Sequence, residues 1–289
     1  MLSKKILFCF GFGYSAQALV DRMNRADWLI RGTCRSTEKA AELADNGIQS
    51  FVFDRDTLLA DPQAAFDGVT HLLTSVPPDA DGDPVLDNHA VDIAAIDTLD
   101  WVGYLSTTGV YGDRDGGWVD EISPREPTGD RGQRRVDAED NWLKLWEAMG
   151  VPVHLFRLAG IYGPGRNALE TVKSGKARRV DKPGQVFSRI HVDDIAAILE
   201  ASIANPDPGT AYNCCDDNPA PPSEVIEYAC TLLGVDPPPA VPFDEADLSP
   251  MARSFYRDNK RVSNDRIKKS LGVELAWPDY RTALKAMMP

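Results

Sequence analysis

The chain has 289 residues and a formal charge of −13, from 44 acidic against 31 basic side chains. That balance opposes nucleic acid, because phosphate binding needs a basic face that displaces counterions. No apolar run approaches the roughly 18 to 20 residues that a membrane-spanning helix requires. The five cysteines, Cys9, Cys34, Cys214, Cys215 and Cys230, have no repeated spacing and no C-x-x-C pair. They imply neither a disulfide framework nor a zinc site, and the expectation is a soluble, reducing, cytoplasmic protein without a bound metal.

Through the first half, strand-like apolar runs alternate with helix-length segments, the pattern of βαβ units in a parallel sheet. Residues 6–10 read as a first strand, 15–25 as a helix, 28–34 as a second strand and 37–46 as a second helix. A third strand covers 49–53 and stops at Asp54, and a fourth covers 69–76. After Pro77-Pro78 and the acidic loop DADGDP, a helix is expected over 85–99 and a fifth strand over 101–106. A loop with Gly116-Gly117 and Pro127 leads to a helix over 132–149, a sixth strand over 153–158 and a glycine turn at 160–165. Trp142 and Trp146, four apart on that helix, form a core stripe. The second half is less regular: a hairpin-like stretch over 180–190, a helix over 193–205, a strand over 211–215, a helix over 223–233 capped by Gly234, and a polar C-terminal segment.

Residues 4–18, KKILFCFGFGYSAQA, support two opposed readings. Two lysines, an apolar run and Ala16-Gln17-Ala18 imitate an export signal with its cleavage site. The same residues place Gly11-x-Gly13-x-x-Ala16 between the first strand and its helix, where backbone can approach a pyrophosphate and the helix N-terminus offers N–H groups. Cleavage would delete the central strand and strand its neighbours, so the second reading is preferred. In such a turn Gly11 makes the bend, Gly13 permits the approach and Ala16 lets helix pack on strand, with Tyr14 and Ser15 opening the helix. The end of the second strand, Thr33-Cys34-Arg35-Ser36, offers no acid for a ribose hydroxyl. Its Arg35 suits a 2′-phosphate instead, which favours NADP over NAD. Asp54, after the third strand, is positioned to touch adenine.

Further segments carry a resemblance. Leu105-Ser-Thr-Thr-Gly-Val-Tyr-Gly112, Arg157-Leu-Ala-Gly-Ile-Tyr-Gly-Pro-Gly165, Ile190-His-Val-Asp-Asp-Ile-Ala196 and Tyr212-Asn213 follow in the order found in the extended short-chain dehydrogenase/reductases, the NAD-dependent epimerase/dehydratase family. The final lobe, with Arg261-Val-Ser-Asn264, resembles that family's atypical members. The resemblance implies an α/β, Rossmann-type doubly wound parallel sheet over residues 1–165, completed by about 188–215. It also implies a small C-terminal α+β substrate lobe over 166–187 and 216–289, a small polar, sugar-derived substrate, and a homodimer built on the helices after strands four and five.

In that family a Ser or Thr at the end of the fifth strand bonds the substrate oxygen, and here the matching position is Thr107. The next helix carries Tyr-x-x-x-Lys, whose tyrosine transfers the proton. This chain departs from that pattern: aligned by Ala138-Glu139, Arg131 and Arg135 occupy both positions. Arg135 could still donate to a ribose or phosphate, whereas a guanidinium cannot replace the tyrosine, because it stays protonated far above neutral pH. Three readings remain open. The chain binds NADP without reducing anything, as a sensor; another group moves the proton, with Tyr111, Tyr104, Tyr162 and His191 the candidates; or Arg131 clamps an anionic group of the substrate. His191 is otherwise expected to cap the helix beginning at Asp193, with Asp193 and Asp194 as helix-start residues.

Overall fold

The computed structural model describes residues 4–288. In chain order its elements are β1 (Lys5–Phe10), α1 (Tyr14–Arg22), β2 (Trp28–Cys34), α2 (Thr37–Asp45), β3 (Gln49–Val52), α3 (Pro62–Phe66), β4 (His71–Thr74), α4 (Pro84–Ala94) and β5 (Trp101–Thr107). Then come β6 (Trp118–Val119), α5 (Asp130–Met149), β7 (Val153–Leu158), β8 (Gly160–Tyr162), α6 (Ala168–Lys173), β9 (Arg179–Asp181), β10 (Arg189–His191), α7 (Val192–Ala204) and β11 (Ala211–Cys214). The chain closes with α8 (Pro222–Leu233), β12 (Ala240–Pro242), α9 (Pro250–Phe255), β13 (Arg261–Val262), α10 (Asp265–Leu271) and α11 (Tyr280–Ala286).

A seven-stranded sheet of order β11-β7-β5-β4-β1-β2-β3 forms the frame, as expected of a doubly wound fold. The sequence ILFCF shows no polar alternation because β1 is central and covered on both faces, the condition of an interior parallel strand. The winding direction reverses between β1 and β4, which pair in parallel from Leu7↔His71 to Phe10↔Thr74. A crevice for ligands opens at such a reversal, beyond the carboxyl ends of the strands. In the core, Phe8 meets Phe66 and Phe10 meets Phe53 edge to face. On α5, Trp142 is fully buried and Trp146 half-buried against the same core, the stripe that their spacing predicts.

Two compact units divide the chain. The first holds everything up to Thr107, with Gln133–Arg157 and Ala196–Tyr212; the second holds Thr108–Gly132, Leu158–Ile195 and the chain from Asn213 onward. The expected division at residue 165 therefore differs from the units found, because the chain leaves the main sheet at Leu158 and β8 pairs with β10 in a separate two-stranded sheet.

In the second unit, parallel pairs β8–β10, β9–β12 and β6–β13 are wrapped by short helices. The expected hairpin over 180–190 is not one: β9 and β10 take different partners. Residues 258 and 259 hold the segment between them, since Gln185 Nε2 donates to the Asp258 carbonyl at 2.7 Å and Val186 N to Asn259 Oδ1 at 3.0 Å. Of the three helices in the polar C-terminal segment, α10 and α11 each bury a few well-spaced apolar residues. Tyr280, Ala283 and Leu284 of α11 fall at i, i+3 and i+4 and are buried with Tyr162, Leu169 and Ala229. Asp193 and Asp194 do open α7, and they also anchor this tail: Asp194 accepts from Ala276 N and Trp277 N, and Asp193 from Trp277 Nε1. The helix expected over 85–99 ends at Ala94, and the Thr98 hydroxyl donates to the Val69 carbonyl as the chain turns towards β5. Among the described residues no helix is long and apolar enough to cross a membrane.

Candidate cofactor and active site

The turn after β1 is gripped from both neighbouring strands. Gly11 N donates to Thr33 Oγ1 at 2.8 Å and Phe12 N to the Thr33 carbonyl at 2.8 Å, both at the end of β2. From the end of β4, the Ser75 hydroxyl donates to the Gly11 carbonyl at 2.6 Å. Gly11 has φ +78°, and a Cβ there would lie 2.8 Å from Ser75 Oγ, so both backbone and space demand glycine. Gly13 differs. Its φ of −110° suits any residue, yet a Cβ would meet nothing nearer than the Gly11 carbonyl at 4.0 Å. It stands over open space at the start of α1, a helix with no side-chain cap and no acid in its first turn. Ser15 and Ala16 are buried beneath, and Tyr14 begins the helix. Gly32 is a further requirement that the sequence did not suggest, since a Cβ there would lie 2.8 Å from the Phe12 ring.

Arg35 is exposed just past β2, and Ser36 caps α2 by accepting from Lys39 N at 3.2 Å. Asp54 spends one oxygen on its own loop, accepting from Asp56 N at 3.0 Å and Thr57 N at 2.8 Å. Those backbone bonds, with a smaller contribution from the charge of Arg35, hold its carboxyl below the ordinary range. The neighbouring Arg55, which carried no sequence signal, forks onto Asp79 at 2.7 and 2.8 Å and reaches Asp87 at 2.6 Å. This pairing explains Asp79 of the DADGDP loop as a counter-charge of Arg55, whereas Asp83 caps α4.

Thr107 ends β5, and the strand residues before it are held by two successive turns of α5. Arg135 Nη1 donates to the Leu105 carbonyl at 2.7 Å and to the Tyr104 hydroxyl at 3.1 Å. One turn on, Glu139 accepts from the Ser106 hydroxyl at 2.6 Å and from Nε and Nη2 of Arg157 at 2.8 to 3.2 Å. Both charged groups are buried. Nothing in the residues beside Glu139 marks it as part of a buried ion pair. A usable signal existed in VHLFRLAG, where an arginine inside a buried strand demands a carboxylate partner. Burial raises the Tyr104 hydroxyl above the ordinary tyrosine range, so Tyr104 does not ionise near neutral pH.

The other expected site residues belong to the second unit. Tyr111 is fully buried, and its hydroxyl donates to Asn213 Oδ1 at 2.7 Å. Arg131 is exposed, with its guanidinium 5.3 Å from the Phe255 ring centroid. Tyr162 packs edge-on to His191 at 5.2 Å, and burial, then the charges of Asp216 and Asp194, push its hydroxyl up. His191 Nδ1 accepts from Asp193 N at 3.2 Å, the expected helix-capping contact, and burial lowers its pKa. Asp216 was not anticipated: it is buried, and burial pushes its carboxyl up to about 8. Thr107 and Arg135 thus share the first unit with the glycine turn, Arg35, Ser36 and Asp54, whereas Tyr111 and Arg131 lie in the second.

No family model matches the chain. A structure of a functionally unknown conserved protein from Silicibacter pomeroyi is 51% identical, covers 98% of each chain and superposes with a TM-score of 0.91. Protein YeeZ of Escherichia coli strain K12 is 27% identical over 280 residues, 93% of this chain and 95% of YeeZ. The dTDP-glucose 4,6-dehydratase of Bacillus anthracis, solved in complex with NAD, is 17% identical with a TM-score of 0.77, over 98% of this chain and 95% of that one. At that identity the likeness speaks for the fold. The chain therefore belongs to the family of the Silicibacter pomeroyi protein, and its fold is the Rossmann-like one of NAD-dependent epimerases and dehydratases.

Proposed function

We propose that the chain binds a nicotinamide dinucleotide, NADP in preference to NAD, and carries out oxidoreduction or epimerisation of a small polar, sugar-derived substrate. The observation that carries this reading is the contrast between the two glycines: Gly11 is demanded by its own fold, and Gly13 is not. A residue kept small above an uncapped helix start fits a pyrophosphate cradle. The NAD bound by the Bacillus anthracis dehydratase, a protein of the same fold, supports the cofactor class.

In this reading Gly11, Gly13, Tyr14, Ser15 and Ala16 receive the pyrophosphate, and Arg35 pairs with a 2′-phosphate while Ser36 fixes the start of α2 beside it. Asp54 stays on its loop and faces the adenine side. Arg135 keeps Nη1 on β5 and offers its remaining N–H groups to ribose hydroxyls. The nicotinamide supplies hydride transfer when bound. Thr107 orients the reacting oxygen.

A second reading has its own support. Tyr104, Tyr111 and Tyr162 are buried, and Tyr104 and Tyr162 are shifted away from neutral pH, which leaves the proton step without an evident donor and favours an NADP-binding sensor. Calorimetric titration with NADPH and NADH tests the shared part. NADPH should bind more tightly, and Arg35→Ala should erase about 10- to 100-fold, the worth of one charge-assisted contact. Gly13→Val should abolish binding without lowering Tm; retained binding would refute the cradle. Stopped-flow mixing of the NADPH complex with a panel of keto-sugars then separates enzyme from sensor by whether absorbance at the reduced nicotinamide band decays.

A further inference from the structure

The six tryptophans have unequal surroundings. Trp101 and Trp142 are fully buried, Trp28, Trp146 and Trp277 are half-buried, and Trp118 alone keeps 63% of its surface exposed. It sits on β6, opposite Arg261 of β13 in the parallel register. That arginine is not stacked on it; its Nη1 donates to the Gly116 carbonyl. Trp118 borders a shallow depression of about 300 Å³ whose other walls are Val119, Asp120, Ser123 and Ser263. This volume is at the small end of ligand pockets, enough for a head group and too little for a dinucleotide.

The walls have a definite chemistry. Trp118 on β6 and Asp120, just beyond the strand, both face the depression. Asp120 is held rigidly: its Oδ1 accepts from Ser123 N at 3.0 Å and from Ser123 Oγ at 2.8 Å, and its own N–H donates to Ser123 Oγ at 2.9 Å. Asp120 Oδ2 has no partner among the described residues. The lining contains one carboxylate and no cation, on a chain whose formal charge is −13. An indole face attracts cations through its quadrupole, a neighbouring carboxylate adds Coulomb attraction, and an acidic protein raises the local concentration of cations.

We propose that the Trp118–Asp120 depression binds a small organic cation, with its ammonium group over the indole and its charge balanced by Asp120. This inference is independent of the dinucleotide reading, whose site residues include neither Trp118 nor Asp120.

Heteronuclear NMR of the intact chain tests it, because each of the six tryptophans contributes one indole N–H signal. Choline and spermidine serve as probes, and 3,3-dimethylbutan-1-ol as the uncharged isostere of choline. One indole signal should shift with choline or spermidine, with a Kd of about 1 mM, and the same additions to Trp118→Ala should shift none. Asp120→Asn should weaken binding by about tenfold or more, and Trp118→Phe should retain a weaker response, which separates loss of the site from loss of the fold. An equal response to the uncharged isostere, an undiminished response in Asp120→Asn, or no indole shift with either cation would overturn the proposal. NADPH affinity should be the same in all three variants.

Discussion

Glu139 in the first unit and Asp216 in the second are both buried near an arginine, and only Glu139 is paired with it. Glu139 receives a two-nitrogen fork from Arg157 and a hydroxyl from Ser106. Asp216 has Arg189 within electrostatic reach, but that guanidinium spends Nη1 on the Phe187 and Ala220 carbonyls. Asp216 Oδ1 accepts from Asn218 N at 3.2 Å, and Oδ2 is buried without a hydrogen-bond partner among the described residues. At Asp216 the fork is missing, and burial outweighs the nearby guanidinium and raises the carboxyl.

The largest test of this contrast removes the paired carboxylate. Glu139→Ala removes the buried carboxylate that receives the Arg157 fork, and should cost about 3 to 5 kcal/mol of stability, measured by chemical denaturation. Glu139→Gln should cost nearly as much, because the amide keeps the Ser106 contact and abandons the charge. If either variant were as stable as the parent, the pair would be incidental.

The unpaired carboxylate should behave oppositely. The folded chain holds the Asp216 proton up to about pH 8, whereas an unfolded aspartate releases it near 3.8. Its contribution to stability is complete below that lower value and is lost as pH rises towards 8. His71 and His154 act in the other direction. Burial lowers both from 6.5 to about 4, so their contribution is present above 6.5 and is lost as pH falls towards 4. The window from 6.5 to 8 isolates Asp216 from these two. Across it, Tm of the parent should fall, and Asp216→Asn should flatten that fall in a calorimetric series. A parallel decline in both proteins would remove Asp216 as its source.

The smallest effect belongs to a third set of carboxylates. Arg55 holds Asp79 and Asp87 at the surface, with about a quarter of its side chain exposed. Arg55→Lys loses the fork and should cost no more than about 1 kcal/mol, read as a small shift in denaturation midpoint that salt diminishes.

The parts of the fold visible in the sequence are those with apolar residues on both strand faces. ILFCF, HLLT and VHLFRL announce buried parallel strands because their apolar residues do not alternate with polar ones, and Gly11 announces the turn because its backbone permits little else. Helices α10 and α11 escaped notice because each buries two or three residues among many charges, so their period is faint. The hairpin reading of 180–190 failed for a different reason: strand propensity gives no partner, and the partner of β9 lies sixty residues further on, at Ala240–Pro242. In the candidate site, Gly11, Gly13 and Arg35 could be read locally. Glu139 with Arg157, and Asp216, could not, since their character depends on neighbours distant in sequence.

The chain passes between the two units after Thr107, Gly132, Arg157, Ile195 and Tyr212. This interlacing has a consequence for biosynthesis. The last stretch of the first unit ends at Tyr212, so its sheet can close while the C-terminal part is still being made. Residues 108–132 and 158–195 have no such freedom. Tyr162 packs with Tyr280 and Leu284, and Trp118 and Val119 take Arg261 and Val262 as strand partners, all supplied by the end of the chain. At synthesis rates of about 5 to 20 residues per second, these segments wait several seconds with apolar side chains uncovered. In a nascent chain of this order, the second unit is the one whose apolar surface stays exposed to aggregation.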